Sequence, residues 1–209
     1  MATVKNLRIS ITTSALAAFA LLILSLSATA EIQPAKIFSD HMVLQRDQQV
    51  SIWGGAMVNT RITLTLDGNE YSARSDENGR WRITIPAHKA GGPYALHLRG
   101  DGEHTIRDVY FGDVWLAGGQ SNMEWKLSWG INDSHRIIAQ ADYPLIRFFD
   151  VPSEIAASPQ AQLTGGEWKK TTPENAAQFS AVAYLFAQRN HLEKNVAVGI
   201  IDNNWGGTP

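Results

Sequence analysis

The chain has 209 residues and not one of them is cysteine. Disulfides, thiol catalysis and cysteine-ligated metals are excluded, and any fold must rest on a packed core. An excess of charge of one sign is lacking too: 18 Lys and Arg face 20 Asp and Glu, a formal net charge of −2. After residue 30 there is no basic cluster, acidic tail or low-complexity tract, so nucleic acid is not an expected partner. Phosphate-cradling motifs are missing. No Gly-Lys-Ser or Gly-Lys-Thr occurs, and no Gly-x-Gly-x-x-Gly follows a strand. No cofactor and no metal is expected.

What is present begins with an export signal. Lys5 and Arg8 form a positive start, Ala15 to Leu26 an apolar stretch, and Ala28-Thr29-Ala30 a small-x-small cleavage site before Glu31. The other reading is a membrane anchor, although so short an apolar run spans a bilayer poorly. Cleavage would leave 179 residues (209 minus 30), periplasmic or secreted, with no stable membrane association.

From Lys36 to about Arg107 apolar residues recur with period two. Val50 and Ile52, then Ile62, Leu64 and Leu66, then Trp81, Ile83 and Ile85, then Tyr94, Leu96 and Leu98 alternate with polar neighbours. Asp67-Gly68 and Asn78-Gly79 read as hairpin turns, and the segment 31–107 as an all-β sandwich. The period changes after Asp108. Val114 to Ala117 reads as a strand buried on both faces, Ser134 to Ala141 as a helix, and Leu145 to Val151 as a strand. A second helix is expected over 179–194 with Phe179, Val182, Ala183 and Phe186 on one face, then a strand from Val196 to Ile201. Strands alternating with helices imply a doubly wound α/β sheet over 108–209.

The chemistry-bearing candidate is Gly118-Gly119-Gln120-Ser121-Asn122-Met123-Glu124-Trp125, directly after the apolar strand. A strand, a glycine turn and a serine at a helix start present a nucleophile where backbone N–H groups and the helix dipole favour developing negative charge. The same residues also spell a capping box, Ser121-x-x-Glu124, which needs no chemistry. Ser121 and the Gly206-Gly207 turn both follow strand ends, where ligands bind in open α/β sheets. They are either two halves of one oxyanion site or two ordinary strand-ending turns. Seven tryptophans suit flat sugar rings, although tryptophan also serves as plain core.

The run Asp113-Val114-Trp115-Leu116 with Gly119-Gln120-Ser121-Asn122-Met123-Glu124-Trp125 resembles the nucleophile block of the sialate O-acetylesterase family of SGNH-type hydrolases. Phe38 to Arg46 (Phe-Ser-Asp-His-Met-Val-Leu-Gln-Arg), Phe179 to Tyr184, and Asn204 to Pro209 resemble three further blocks, in family order. The chain departs with Ala117-Gly118 where relatives carry Cys-Ser, and with Asp202-Asn203-Asn204 where they carry Asn-Ser-Ser. Neither change removes a reacting group.

The resemblance implies a carbohydrate O-acetylesterase acting on an acetylated glycan or sialic acid. Ser121 would be the nucleophile, and the Ser121 N–H with that of Gly206 or Gly207 the oxyanion hole. Asn122, Trp125 and Trp205 would shape the pocket, the two tryptophans serving equally well as packing. It also implies a base histidine, its acid and a Gln-Gly-Glu block beyond Trp205-Gly206-Gly207-Thr208. None of His41, His88, His97, His104, His135 and His191 matches that base, so the chain reads as the N-terminal part of a longer enzyme. The alternatives are a non-catalytic carbohydrate-binding β-sandwich protein and an inactive gene remnant.

Overall fold

The computed structural model describes residues 31–208, so the export signal expected over 1–30 lies outside the described residues. In chain order the strands are β1 (Gln33–Pro34), β2 (Val43–Gln45), β3 (Val50–Gly55), β4 (Arg61–Leu66), β5 (Asn69–Arg74), β6 (Arg80–Ile85), β7 (Gly91–Arg99), β8 (Glu103–Gly119), β9 (Tyr143–Asp150), β10 (Trp168–Thr171) and β11 (Val198–Asn204). The helices are α1 (Ser121–Glu124), α2 (Ser134–Ala139), α3 (Pro173–Ala176) and α4 (Ala181–Lys194), with one 3₁₀ turn at Leu127–Trp129.

Two sheets form. One has the order β1-β3-β6; the other runs β10-β9-β11-β8-β7-β4-β5, with β2 paired to β8 off that path. The 17-residue β8 belongs to both halves of the molecule. Its first part pairs antiparallel with β7 as far as Phe111, and its last seven residues, Asp113 to Gly119, pair parallel with β11. The sequence expectation of a division at residues 107 and 108 falls inside this continuous strand, and residues 31–209 form one compact unit.

Alternation along the strands sorts side chains into two cores. Ile52, Trp81, Ile83 and Ile85 of one sheet face Leu64, Leu96, Leu98, Ile106 and Phe111 of the other, all buried. Phe149 and Trp168 join that core from β9 and β10. Ile146, Phe148, Val198 and Ile200 point the opposite way, against Leu127, Phe179, Ala183 and Tyr184. All the helices therefore cover one face of β8, β11 and β9, and the other face packs on the first core. Among the described residues the sheet is not wound on both faces, because the partner expected to be a helix layer is the β2–β3 region.

Several local expectations are corrected. Asp67 and Gly68, with φ of 49° and 75°, do close the β4–β5 hairpin. Asn78-Gly79 does not close one, since β6 pairs with β3 and the turn is built by Asp76, whose carboxylate accepts the Asn78 and Arg80 N–H groups. Trp115 and Leu116 are 43% and 67% exposed, so the strand before the nucleophile turn is not buried on both faces. In α4 the buried residues are Ala181, Ala183, Tyr184 and Ala187. Val182 and Phe186 are exposed instead, Phe186 lying edge-on to Trp115 at 5.0 Å. The first seven residues of the helix, Ala181 to Ala187, are all apolar, so periodicity does not single out the face that carries the alanines and Tyr184.

The Phe38–Arg46 block is where the two halves are pinned. His41 Nδ1 meets Asp108 at 2.7 Å, the buried Arg147 bonds the His41 carbonyl at 2.8 Å and the Asp108 carboxylate at 3.0 Å, and Lys170 reaches the same carboxylate at 2.7 Å. Burial pushes the Asp108 carboxyl up, but hydrogen bonds from Lys170, His41 and Arg147 outweigh it and hold the pKa at about 2. Further along, Gln45 Oε1 accepts the Val114 N–H at 2.9 Å, and Arg46 and Lys194 flank Asp113 at 2.7 and 2.9 Å. Lys170 and His41 would still face the Asp108 carboxylate without Arg147, but the His41 and Asp108 carbonyls would lose their buried donor, and leaving a buried acceptor unsatisfied costs about 1–3 kcal/mol. We predict that Arg147→Ala lowers the unfolding free energy by about that amount in a urea titration; a loss below about 1 kcal/mol would show that the Asp108 cluster does not hold the halves together.

Candidate active site

β8 delivers the chain to Gly119, Gln120 takes the N-cap position without a side-chain cap, and Ser121 is the exposed first residue of α1. The capping box does not form. It needs the serine at the N-cap and the glutamate folded back to the helix start, whereas Glu124 Oε2 reaches across 82 residues to accept the Gly206 N–H at 2.8 Å. The helix is a single turn of 4 residues, so the dipole expected behind the serine is small.

The end of β11 brings the second turn alongside. Asn204 pairs with Gly119 in register, the Trp205 N–H donates to the Gly119 carbonyl at 3.1 Å, and Gln120 Nε2 donates to the Thr208 carbonyl at 2.5 Å. A Cβ placed on Gly206 would lie 3.4 Å from Ser121 Oγ and 2.3 Å from Glu124 Oε2, so this position tolerates no side chain without moving the glutamate. Gly207 adopts φ +79°, a conformation glycine accepts freely, and faces open space. Of the two expected oxyanion donors, the Gly206 N–H is taken up by Glu124, and that of Gly207 has no partner among the described residues.

The remaining predicted residues divide. Asn122 is exposed on α1. Trp125 ends α1 at 46% exposure and packs edge-on against Trp129 at 5.8 Å, while Trp205 is 37% exposed beside the serine turn. No hydrogen bond joins a histidine to Ser121 among the described residues. His41 is held by Asp108, His88 stacks on Phe111 at 4.2 Å, His97 meets Thr105, and His191 meets the Val196 carbonyl. His135 is exposed on α2.

Sequence reasoning missed the acids at the strand ends. Beside the serine turn, the carboxyl ends of β9 and β11 frame a recess of about 180 Å³ lined by Glu124, Lys126, Asp150, Gln178, Asp202 and Asn204. Burial and the neighbouring Asp150 charge push the Asp202 carboxyl up to about 6, against opposing hydrogen bonds from the Ser180 backbone and Asn204. Only its place at the end of an apolar strand signalled this.

No family model matches the chain. The fold is shared with the crystal structure of a carbohydrate acetylesterase from Xanthomonas citri, 44% identical with a TM-score of 0.82, over 85% of this chain and 41% of that one. Among curated proteins, sialate O-acetylesterase of Rattus norvegicus is 30% identical over 194 residues, 84% of this chain and 36% of the relative, and that of Homo sapiens 30% identical over 198 residues. The chain is a homologue of the sialate O-acetylesterases and spans little more than a third of their length.

An acid whose folded pKa is raised is stabilising while protonated, so the contribution of Asp202 is complete below its unfolded pKa near 4 and is lost as pH rises through about 6. We predict that Asp202→Asn removes a decline in unfolding free energy of about 2 kcal/mol between pH 4 and 7. Parallel stability–pH curves for the two proteins would rule out a raised Asp202.

Proposed function

We propose that the chain is the nucleophile-bearing part of an exported carbohydrate O-acetylesterase, with a mature N-terminus at Glu31 that N-terminal sequencing would read. Its fold is then a β-sandwich followed by the first part of an SGNH-type α/β hydrolase domain. The observation that carries this reading is the convergence of Ser121 and the Trp205–Thr208 turn at the carboxyl edge of β8 and β11, in a homologue of acetylesterases.

In the proposed reaction Ser121 Oγ attacks the acetyl carbonyl of a sugar ester while its proton passes to a base. The carbonyl oxygen becomes an oxyanion held by the N–H groups of Ser121 and Gly207, and the sugar leaves as its alcohol. Water then hydrolyses the acetyl-enzyme. No histidine hydrogen-bonds Ser121 among the described residues, and losing one member of a catalytic triad costs on the order of 10⁴-fold in rate. The base is therefore assigned to polypeptide of the kind that fills the remainder of the relatives' length.

Two measurements test this. Residues 31–209 alone, folded by circular dichroism, should hydrolyse 4-nitrophenyl acetate and O-acetylated sialic acid no faster than background. Ser121→Ala in the full-length esterase should abolish turnover with little loss of stability. Wild-type activity in that variant would overturn the assignment of Ser121.

A further inference from the structure

We infer that Glu124 is a positioning residue: its carboxylate latches the Gly206 N–H and thereby sets the Trp205–Gly207 turn against Ser121. The inference rests on the proposed esterase reading for its meaning in catalysis, but its geometry stands without it.

The turn is anchored at both ends and at one point between. Trp205 is held by the Gly119 carbonyl at 3.1 Å and Thr208 by Gln120 at 2.5 Å, both contacts involving the residues just before Ser121. Between them the only hydrogen bond to Gly206 or Gly207 from another segment, among the described residues, is the 2.8 Å contact to Glu124. It is charge-assisted and short, which makes it directional as well as strong. Glu124 also lies three residues after the serine on a single helical turn, so the latch and Ser121 move as one body. The place where Gly206 would carry a Cβ is filled by the carboxylate oxygen, 2.3 Å away. Gly206 and Glu124 are thus complementary: the glycine is bare because the carboxylate lies there.

This arrangement divides two neighbouring N–H groups between two tasks. Gly206 serves the scaffold, and Gly207 is left free to face a reacting oxygen. Were Gly206 the oxyanion donor instead, its N–H would first have to leave the Glu124 carboxylate.

The test uses the 209-residue chain and amide hydrogen exchange followed by NMR. Glu124→Ala should speed exchange at Gly206 at least tenfold and shift its amide resonance, while Trp205, bonded to the Gly119 carbonyl, keeps its protection. Glu124→Gln should restore protection to within about threefold, because the amide oxygen still accepts. Gly206→Ala should loosen the turn in the parent, and add nothing in the Glu124→Ala background, where its Cβ has room; coupling of this kind is what residues in direct contact show. Unchanged exchange at Gly206 in Glu124→Ala, joint loss at Gly206 and Trp205, or additive effects of the two substitutions would each overturn the latch. The esterase reading is judged separately, by Ser121→Ala turnover, so either can fail without the other.

Discussion

One uninterrupted strand carries both the sandwich-like layer and the site. β8 pairs with β7 through its first half and with β11 through its second, so the position of Ser121 at its carboxyl end is set by hydrogen bonds made over 17 residues. A break between the halves would leave a row of unpaired N–H and C=O groups at the core, which proteins avoid. The division expected between residues 107 and 108 therefore falls inside β8, whose backbone both layers share.

The charges around β8 follow the same logic. Asp108 and Asp113 stand on either side of the change of partner from β7 to β11, and each is flanked by cations from distant segments: Arg147 and Lys170 for the first, Arg46 and Lys194 for the second. The Phe38–Arg46 block supplies the pieces between them, with Met42 and Leu44 in the core and His41, Gln45 and Arg46 on β8. The block staples the molecule together through β8 and makes no hydrogen bond to Ser121 among the described residues.

Much of this was legible in the sequence where local chemistry decides the outcome. Period-two alternation located β3, β4, β6 and β7, and the apolar strand before Gly119 located the serine turn. Sheet membership was not legible, because it depends on pairing between distant segments: nothing near Asn78-Gly79 tells that β6 leaves its neighbour β5 for β3. The face of α4 was misread because Val182, Leu185 and Phe186 are as apolar as the alanines and tyrosine that are buried. At the site, motif and position pointed to Ser121, Gly206 and Gly207, which the fold brings to one edge of the sheet. Glu124 was visible too, but its local use as a cap competed with a partner 82 residues away, and the distant partner won.

The picture of the site is a serine and a bare glycine turn brought together at the carboxyl edge of two parallel strands, with one acid holding the turn and another, Asp202, kept from ionising readily by its burial. Its central claim is that Ser121 is the atom that attacks. Covalent labelling of the full-length esterase with a fluorophosphonate, followed by digestion and mass spectrometry, addresses that directly. The account predicts the phosphonyl group on the peptide containing Ser121; a phosphonyl group on another serine, with Ser121 unmodified, would contradict it.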